Sequence, residues 1–406
     1  MKIILTSFSD IKRQSVKNVF EKFNIKVSDF EIDCYKTKIV VEQPLGVRQT
    51  IDICKDRITQ VQKTVSVSEL AKYDYIMSIE NGINLDLEHN DRGVMHPTDF
   101  VVVAVYSTKI NRLFVECSGI DADSENIGTI PIRDYVYEER KLKPYMDLVD
   151  KITNARTFGN MIHERTPTIP GNNWMKELCG IDRHDQIAWV VERHLPMMKL
   201  INDFVIYPDF PKKKILFRDI IGSMSNPEHL ETVMSKIAEN FEKSGLTDYE
   251  DSQETRDGCV NYIVGLDARG FILGGALATY LNAKVNGKYD NWKKVGFIPI
   301  RKQGKLPGEC YTVTYGKEYG VDKFEIQKDA IKVRNPKCTK VNIVVIDDIL
   351  ATGGTAKAAI DLLKHFDCIG RVSLVFLDKV DGLNPDLGDY NQYIVLDNYE
   401  HIHNYD

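Results

Sequence analysis

Two adjacent acids and a glycine turn follow the most apolar stretch of the chain. Residues 341–346 are mostly β-branched, which is typical of a strand buried on both faces, and Asp347 and Asp348 end the stretch. In the turn that follows, Gly353 and Gly354 let backbone N–H groups point inward without obstruction by a Cβ atom, and an amphipathic helix pattern begins there. This combination predicts a phosphate cradle, with the two acids holding hydroxyls or a hydrated cation beside it.

Two further apolar stretches also end in charged residues. The stretch 262–266 precedes the sequence Asp-Ala-Arg-Gly, and the stretch 296–300 precedes a basic loop. Because the carboxyl ends of parallel strands open on the same edge of a sheet, we expect these residues to meet the acid pair and to bind a large anion. The basic loop 302–308 contains two glycines, which is typical of a mobile lid over a phosphorylated substrate. The anion-binding candidates are Asp267, Ala268, Arg269, Arg301, Lys302 and Lys305.

The elements that position these residues alternate between strand and helix. In the second half this alternation predicts a mostly parallel, doubly wound sheet. The first half also has an α/β pattern, in which a strand at 75–83 delivers the single acid Glu80 into a glycine turn. The predicted fold class is therefore α/β with two domains, 1–194 and 195–406, and a packed connecting helix that starts at Pro196.

Length, charge and cysteine content narrow the functional classes. At 406 residues the chain is long enough for two domains, and a net charge of −6 gives no general attraction for nucleic acid or an anionic membrane. Residues 1–9 fit neither a signal peptide nor an anchor, and no apolar run is long enough to span a bilayer. The eight cysteines form no Cys-x-x-Cys pair, so we expect free thiols and a cytoplasmic protein.

The first half resembles the inosine/xanthosine triphosphatase family, which hydrolyses non-canonical purine nucleoside triphosphates to monophosphates. The resemblance covers roughly residues 1–194 and depends on Thr6-Ser7 with Lys12, on Glu42-Gln43-Pro44, on Ile79-Glu80-Asn81-Gly82-Ile83 and on Gly180-Ile181-Asp182-Arg183. It implies a nucleotide-pyrophosphatase-like domain that acts on ITP or XTP. The site candidates that it implies are Thr6, Lys12, Glu80 and Arg183.

Two interpretations of this domain stay open. Hydrolysis of a triphosphate needs carboxylates that hold Mg²⁺. Glu80 is the only clear candidate, because Thr37 and Lys38 stand where the family has an acid before Glu42. The domain is therefore either a pyrophosphatase or a folded module without catalytic activity.

The second half resembles the adenine phosphoribosyltransferases, which are type I phosphoribosyltransferases. Matching motifs occur in the family's order at 208–220, 265–271, 300–308, 318–320, 324–330 and 344–355. The resemblance implies that adenine and phosphoribosyl diphosphate react to give AMP and pyrophosphate. It also implies Mg²⁺ that arrives on the diphosphate without a direct protein ligand, and a homodimer.

The resemblance gives roles to residues of this sequence. The anion-binding candidates would hold the diphosphate, and Asp347 and Asp348 would hold the ribose hydroxyls. Glu318 would protonate the purine ring nitrogen or form a hydrogen bond to it. The adenine would stack on Phe217 and contact the backbone of Leu216 and Arg218. The 5-phosphate would bind the N–H groups of Ala351, Thr352, Gly353, Gly354 and Thr355.

An alternative from another functional class is a regulator that uses this fold to sense phosphoribosyl diphosphate or a nucleotide without catalysis. Glu318 and Lys305 distinguish the two, because a sensor does not need them. The sequence therefore favours a transferase of purine salvage.

Overall fold

A computed structural model describes residues 1–39, 41, 43–84, 98–118, 143–153, 156–180, 182–210, 213, 216–243, 260–284, 294–316, 321–334, 339–380 and 383–396. The chain divides into two compact units, Met1–Asn202 and Asp203–Asp397. Each unit has its own sheet, so the predicted two-domain α/β class is confirmed.

The first unit contains a five-stranded mixed sheet. Its strands are β1 (Lys2–Leu5), β2 (Glu31–Cys34), β3 (Tyr75–Asn84), β4 (Thr98–Ser107) and β5 (Arg112–Cys117), in the order β2-β1-β3-β4-β5. β1 runs parallel to β2 and β3, whereas β4 runs antiparallel to β3 and β5. The carboxyl ends of β1 and β3 therefore open on the same edge of the sheet.

Helices pack on both faces of this sheet. They are α1 (Asp10–Lys22), α2 (Gly46–Thr64), α3 (Val67–Leu70), α4 (Phe158–Arg165), α5 (Trp174–Cys179) and α6 (Arg183–Asn202), with 3₁₀ segments at Val27–Asp29 and Lys143–Lys151. α1 and α6 share a core with Ile3, while α2 shares a second core with the next residue, Ile4. The two cores lie on opposite faces because successive strand residues point in opposite directions.

The boundary between the units lies further along the chain than the sequence predicts. The predicted boundary after residue 194 falls inside α6, which continues through Pro196 to Asn202. Leu195 and Met198 belong to the core of the first unit, because they lie on the same face of α6 as Val191. The predicted connecting helix is thus the end of the last helix of the first unit.

The second unit contains a seven-stranded sheet and a separate hairpin. The sheet strands are β8 (Val260–Leu266), β9 (Gly296–Lys302), β10 (Cys310–Gly316), β11 (Val321–Gln327), β12 (Val341–Leu350), β13 (Ile369–Lys379) and β14 (Asn391–Ile394), and the hairpin pairs β6 (Val205–Pro208) with β7 (Leu216–Asp219). The sheet order is β10-β11-β9-β8-β12-β13-β14. The five strands from β9 to β14 in that order are parallel, and β10 and β11 extend the sheet in antiparallel fashion. This is the predicted doubly wound sheet with an antiparallel extension.

The central strand β12 is buried because its side chains are apolar on both faces. Residues 341–346 are all buried, and the strand continues through the two acids to Leu350. The helices of this unit are α7 (Ile220–Ser223), α8 (Pro227–Lys243), α9 (Arg269–Lys284) and α10 (Gly354–Leu363). Among the described helices, none has the length and apolar character needed to cross a membrane.

Candidate active site

Charged residues from three neighbouring strands meet at one edge of the second-unit sheet. β9, β8 and β12 lie side by side and run in the same direction, so their carboxyl ends share that edge. Arg269 Nη1 lies 2.7 Å from Asp348 Oδ2, which joins the segment after β8 to β12. Arg301 Nε lies 3.5 Å from Asp267 Oδ2, which joins β9 to the end of β8. The edge therefore presents both cations and carboxylates to a ligand.

The two acids of β12 interact with each other at the end of its buried run. Asp348 is 2% exposed, and its backbone N–H donates to Asp347 Oδ1 at 3.0 Å. Burial and then the charge of Asp348 raise the pKa of Asp347 to about 8. Burial also raises the pKa of Asp348, and the nearby Arg269 guanidinium partly offsets that rise. The pair therefore favours a proton, a hydroxyl donor or a cation beside it.

The turn after β12 leaves its backbone open for a phosphate. Gly353 has a φ of +77°, and a Cβ atom there would lie 2.7 Å from Pro385 Cβ. At Gly354 a Cβ atom would lie 3.1 Å from the carbonyl oxygen of Gly316, the last residue of β10. Because α10 starts at Gly354, its unpaired N–H groups and its dipole face this turn. The predicted cradle residues 351–355 form the turn and the first residues of α10.

Close backbone contact brings α9 up to the acid pair. A Cβ atom on Gly270 would lie 2.5 Å from Ile346 O and 3.5 Å from Asp347 Oδ1. A side chain at this position would therefore push α9 away from β12. The sequence Asp-Ala-Arg-Gly can hold Arg269 beside Asp348 because Gly270, which follows Arg269, has no side chain.

The basic loop after β9 is bound to its neighbouring strand along its length. The N–H of Gln303 donates a hydrogen bond to the backbone of β11 at 3.0 Å. The carbonyl of Glu309 accepts a hydrogen bond at 2.9 Å from the backbone of the turn that follows β11. Between them, Gln327 Nε2 donates to Pro307 O at 3.0 Å. These bonds favour a fixed platform, residues 303–309, over the mobile lid that the two glycines suggested. The exposed cations at this platform are Lys302 and Lys305.

The hairpin carries the predicted base-binding residues. Phe217 makes an edge contact with Phe210, with 5.0 Å between the ring centroids. The Arg269 guanidinium carbon lies 5.9 Å from the centroid of the Phe217 ring, within reach of a cation–π interaction. Leu216 is the first residue of β7, so the predicted base-binding backbone belongs to a regular strand.

Arg218 anchors the hairpin to the sheet. Its Nη1 donates to Asp378 Oδ2 at 2.7 Å, and the two side chains are only 4% and 3% exposed. Asp378 lies near the end of β13, so the ion pair joins β7 to a parallel strand of the sheet. Sequence reasoning missed Asp378, although an acid that directly follows the buried run 374–377 was a usable signal.

Known proteins resemble the second half of the chain. A family described as "Phosphoribosyl transferase domain" matches residues 231–403. Adenine phosphoribosyltransferase 1 of Saccharomyces cerevisiae is 40% identical over 161 residues, which are 40% of this chain and 71% of the yeast protein. The adenine phosphoribosyltransferase of Francisella tularensis subsp. tularensis (strain WY96-3418) is 38% identical over 177 residues, 44% of this chain and 83% of that protein.

The chain belongs to the phosphoribosyltransferase family. The predicted resemblance of the second half is thereby confirmed at the level of the family. A crystal structure of the Saccharomyces cerevisiae adenine phosphoribosyltransferase, complexed with adenine and an imino-altritol bisphosphate, has 33% identity and a TM-score of 0.41, and covers 50% of this chain and 99% of that one.

Arg269 of this phosphoribosyltransferase has partners within the protein. The structure binds its guanidinium to Asp348 and places it over Phe217, and the contact with the diphosphate that the resemblance implies stays a prediction. Its guanidinium therefore links the ribose-binding candidate to the base-binding candidate. Three residues named from the sequence lie outside the described part of the chain, namely Glu42, Ile181 and Glu318.

Three of the four first-unit candidates lie together at the edge that β1 and β3 share. Lys12 Nζ lies 3.3 Å from Glu80 Oε2, and Arg57 Nε lies 2.7 Å from Glu80 Oε1. Thr6 Oγ1 donates to Ser78 Oγ at 3.0 Å. The Glu80 carboxylate thus has a cation at each oxygen. Sequence reasoning missed Arg57, because only folding brings α2 to the end of β3.

The fourth candidate, Arg183, is held elsewhere. Its guanidinium contacts both carboxylate oxygens of Asp99, with 2.9 Å between Nη2 and Oδ2, and both side chains are buried. This pair joins α6 to β4, and the binding of a phosphate by Arg183 stays a prediction. Within the described residues, no group of three or more His, Cys, Asp or Glu side chains is arranged for a metal ion.

Proposed function

We propose that the second unit transfers the phosphoribosyl group of phosphoribosyl diphosphate to adenine and so produces AMP and pyrophosphate. The observation that carries this proposal is the single sheet edge where the acid pair, the glycine cradle, Arg269 after β8 and the cations at the end of β9 meet. A ribose with phosphates at both ends needs two anion sites and, between them, acceptors for its hydroxyl groups. The cations and the glycine cradle would supply the two anion sites, and the acid pair would supply the acceptors. Relatives at 38% and 40% identity that are named adenine phosphoribosyltransferases support adenine as the acceptor.

Charge stabilisation dominates such a reaction. The bond between C1 of the ribose and the diphosphate oxygen breaks, the oxygen keeps the bonding electrons, and the sugar gains oxocarbenium character before the purine nitrogen bonds to C1. Arg301, Lys302 and Lys305 would bind the departing diphosphate. Asp347 and Asp348 would accept hydrogen bonds from the ribose hydroxyls, and the N–H groups of 351–355 would fix the 5-phosphate.

The base would enter beside the hairpin. Phe217 would stack on adenine, and the backbone groups of Leu216 and Arg218 would contact the edge of the ring. Glu318 would form a hydrogen bond to the purine ring nitrogen and accept the proton that adenine loses as the new bond to C1 forms. Asp267 and Ala268 would hold the diphosphate from the end of β8.

Mg²⁺ fits the donor set at this edge. Asp347 and Asp348 present carboxylate oxygens, which Mg²⁺ prefers, and because burial and then the charge of Asp348 raise the pKa of Asp347, a bound cation would favour the ionised pair. The ion would arrive on the diphosphate, and the two acids would hold it in part through water and ribose hydroxyls. When bound, it would neutralise charge on the leaving diphosphate.

AMP formation from adenine and phosphoribosyl diphosphate tests the proposal. Wild type should form AMP at steady state, and Glu318→Ala should be slower by about a hundredfold or more, because a positioned general base contributes that much. Asp361→Ala, which removes a surface ion pair with Lys364, is the matched control and should resemble wild type. Equal rates for wild type and Glu318→Ala, or no AMP from either, would favour the regulator that only senses phosphoribosyl diphosphate.

We propose further that the first unit is catalytically silent. The observation that favours this alternative is the Glu80 carboxylate, which is bound by Lys12 and Arg57 and is therefore not free for Mg²⁺. Arg183, the candidate for phosphate binding, is paired with Asp99. The competing alternative is hydrolysis of ITP or XTP at this edge.

Pyrophosphate release separates the two alternatives for the first unit. Full-length protein incubated with ITP, XTP and Mg²⁺ should release no pyrophosphate above the blank. Release that disappears in Glu80→Gln but persists in Asp348→Asn would establish a pyrophosphatase in the first unit and contradict the silent module.

We also propose a cytoplasmic homodimer. Free thiols in the described part of the chain support a reducing compartment, and they are Cys34, Cys54, Cys117, Cys310 and Cys368. Light scattering during size exclusion should give twice the chain mass of 46.4 kDa. A single-chain mass at micromolar concentration would contradict the dimer.

A further inference from the structure

We propose that Glu325 is a positioning residue for diphosphate binding, which acts through the backbone of Lys305. The inference rests on the proposed transferase function. Glu325 lies on β11 and is only 5% exposed. A carboxylate is costly to bury unless it accepts hydrogen bonds, so its position calls for donors.

The donors are two consecutive backbone N–H groups of the platform. Glu325 Oε1 accepts from the N–H of Lys305 and from the N–H of Leu306, each at 2.9 Å. Hydrogen bonds to a charged acceptor are stronger than neutral ones. Gly304, with a φ of +78°, makes the turn that directly precedes these two residues.

The carbonyl group of Lys305 is held as well. Arg301 Nη1 donates to Lys305 O at 3.2 Å. Arg301 is the residue opposite Glu325 where β9 pairs with β11, so one cross-strand pair fixes both backbone polar groups of Lys305. The exposed ammonium group of Lys305 can then reach only a limited region, because both polar groups of its backbone are fixed.

Glu325 should affect Lys305 and not the whole platform, because other hydrogen bonds hold the platform to the sheet. The hydrogen bonds of Gln303, Pro307 and Glu309 to β11 and the turn after it do not involve Glu325. Loss of the Glu325 carboxylate should therefore leave the platform on the sheet and change only the direction of Lys305. A merely structural role would instead lower the melting temperature and weaken the use of both substrates.

The test compares Glu325→Ala with the isosteric Glu325→Gln. In Glu325→Ala, the KM for phosphoribosyl diphosphate and the Kd of pyrophosphate with Mg²⁺ should rise by about tenfold to about a hundredfold, the range expected for lost hydrogen bonds to a charged group. The KM for adenine should change by less than about twofold, as for a remote substitution. Glu325→Gln should restore pyrophosphate binding, because its amide oxygen can accept both N–H groups.

Asp329→Ala is the matched control, since this acid follows β11 but is exposed and pairs only loosely with Lys332, at 3.7 Å. Three results would overturn the inference. In Glu325→Ala, the KM values of both substrates could rise equally, or the Kd of pyrophosphate could stay unchanged. Glu325→Gln could also bind pyrophosphate as weakly as Glu325→Ala. If Glu325→Ala does not fold, Glu325→Asp takes its place. The shorter side chain should hold the backbone of Lys305 less well, so this variant should bind pyrophosphate more weakly than Glu325→Gln. Wild type that binds pyrophosphate but forms no AMP would refute the proposed function alone, and wild type that binds no pyrophosphate would refute the role of Glu325.

Discussion

The two units of the chain each gather charged side chains at a sheet edge, but they balance the charges differently. In the first unit, one acid, Glu80, is bound by two cations, Lys12 and Arg57. In the second unit, Arg269 contacts one member of a buried acid pair, and burial and the adjacent charge raise the pKa of Asp347. The first arrangement satisfies its carboxylate within the protein, whereas the second leaves carboxylates in need of protons, hydroxyls or a cation. The comparison suggests that charge left over at a sheet edge marks a ligand site, and internally matched charge marks a structural one.

The largest effect expected from this contrast is on the stability of the first unit. Glu80→Ala leaves Lys12 and Arg57, which are 15% and 14% exposed, without their carboxylate. The free energy of unfolding should fall by about 3 to about 5 kcal/mol, as for other broken buried ion pairs. Denaturant titration followed by tryptophan fluorescence measures this, because Trp174 and Trp189 are in the first unit. Glu69→Ala, which breaks the exposed pair with Lys72, is the control, and a loss as small as that of the control would break the comparison.

The second prediction concerns AMP formation. Asp348→Asn removes the partner of Arg269 and a ribose-binding carboxylate, so kcat/KM should fall by about a hundredfold to about a thousandfold. Glu80→Ala, assayed under conditions where the protein is folded, should retain wild-type kcat/KM. If both variants lose activity to the same extent, the charge balance of the two edges does not distinguish a ligand site from a structural one.

Each unit contains a buried Arg–Asp pair, and the two pairs should differ in their effect on catalysis. Asp378→Asn weakens the anchor of the hairpin, so the KM for adenine should rise by about tenfold while the KM for phosphoribosyl diphosphate stays unchanged. Asp99→Asn changes the equivalent pair with Arg183 in the first unit and should alter neither KM. Steady-state kinetics with each substrate varied in turn measures both. Equal increases in the two KM values of Asp378→Asn would refute a role confined to the base side.

The last prediction is a pH dependence of stability with opposite signs in the two units. The folded pKa of Asp347 is raised, so its contribution to stability is complete below the unfolded pKa near 4 and is lost as the pH rises towards about 8. Asp347→Asn should therefore melt above wild type at pH 8 and approach it at pH 5. A hydrogen bond from Lys176 lowers the pKa of Asp182, so the stabilisation by Asp182 is present at neutral pH and is lost as the pH falls through its folded pKa.

Melting temperatures of Asp347→Asn and Asp182→Asn across pH 3 to 8 measure both signs. Asp182→Asn should melt below wild type at neutral pH, and the difference should shrink in acid. A pH-independent difference for Asp347→Asn would mean that the acid pair is ionised in the folded protein without cost.

The residues that meet at the edge of the second-unit sheet could be predicted from the sequence because their signals are local. An apolar run of β-branched residues, an acid pair and a glycine turn are adjacent in the chain, and strand direction alone then brings three strand ends to one edge. The residues that sequence reasoning missed have partners that are distant in the chain. Arg218 and Asp378 are 160 residues apart, and their contact depends on how the hairpin docks on β13. Glu325 was part of a matched motif, but its role depends on the register between β11 and β9.

Two other differences have physical causes that a linear pattern does not contain. The glycines of the basic loop indicated turns correctly, but they say nothing about mobility, and the hydrogen bonds that fix the loop come from β11. Pro196 suggested a helix start, yet it lies exposed within α6, where the buried face formed by Leu195 and Met198 keeps the helix continuous.

The length of α6 decides where the gene can be cut to assay the two halves separately. A fragment that stops at residue 194 would lose four buried residues, Leu195, Met198, Leu200 and Ile201. The apolar surface that they cover would then be exposed to solvent and would favour aggregation. The complementary fragment would begin with those same apolar residues as an unpartnered tail. A cut after Asn202 avoids both defects, and inactivity of a shorter fragment would report on its folding and not on its chemistry.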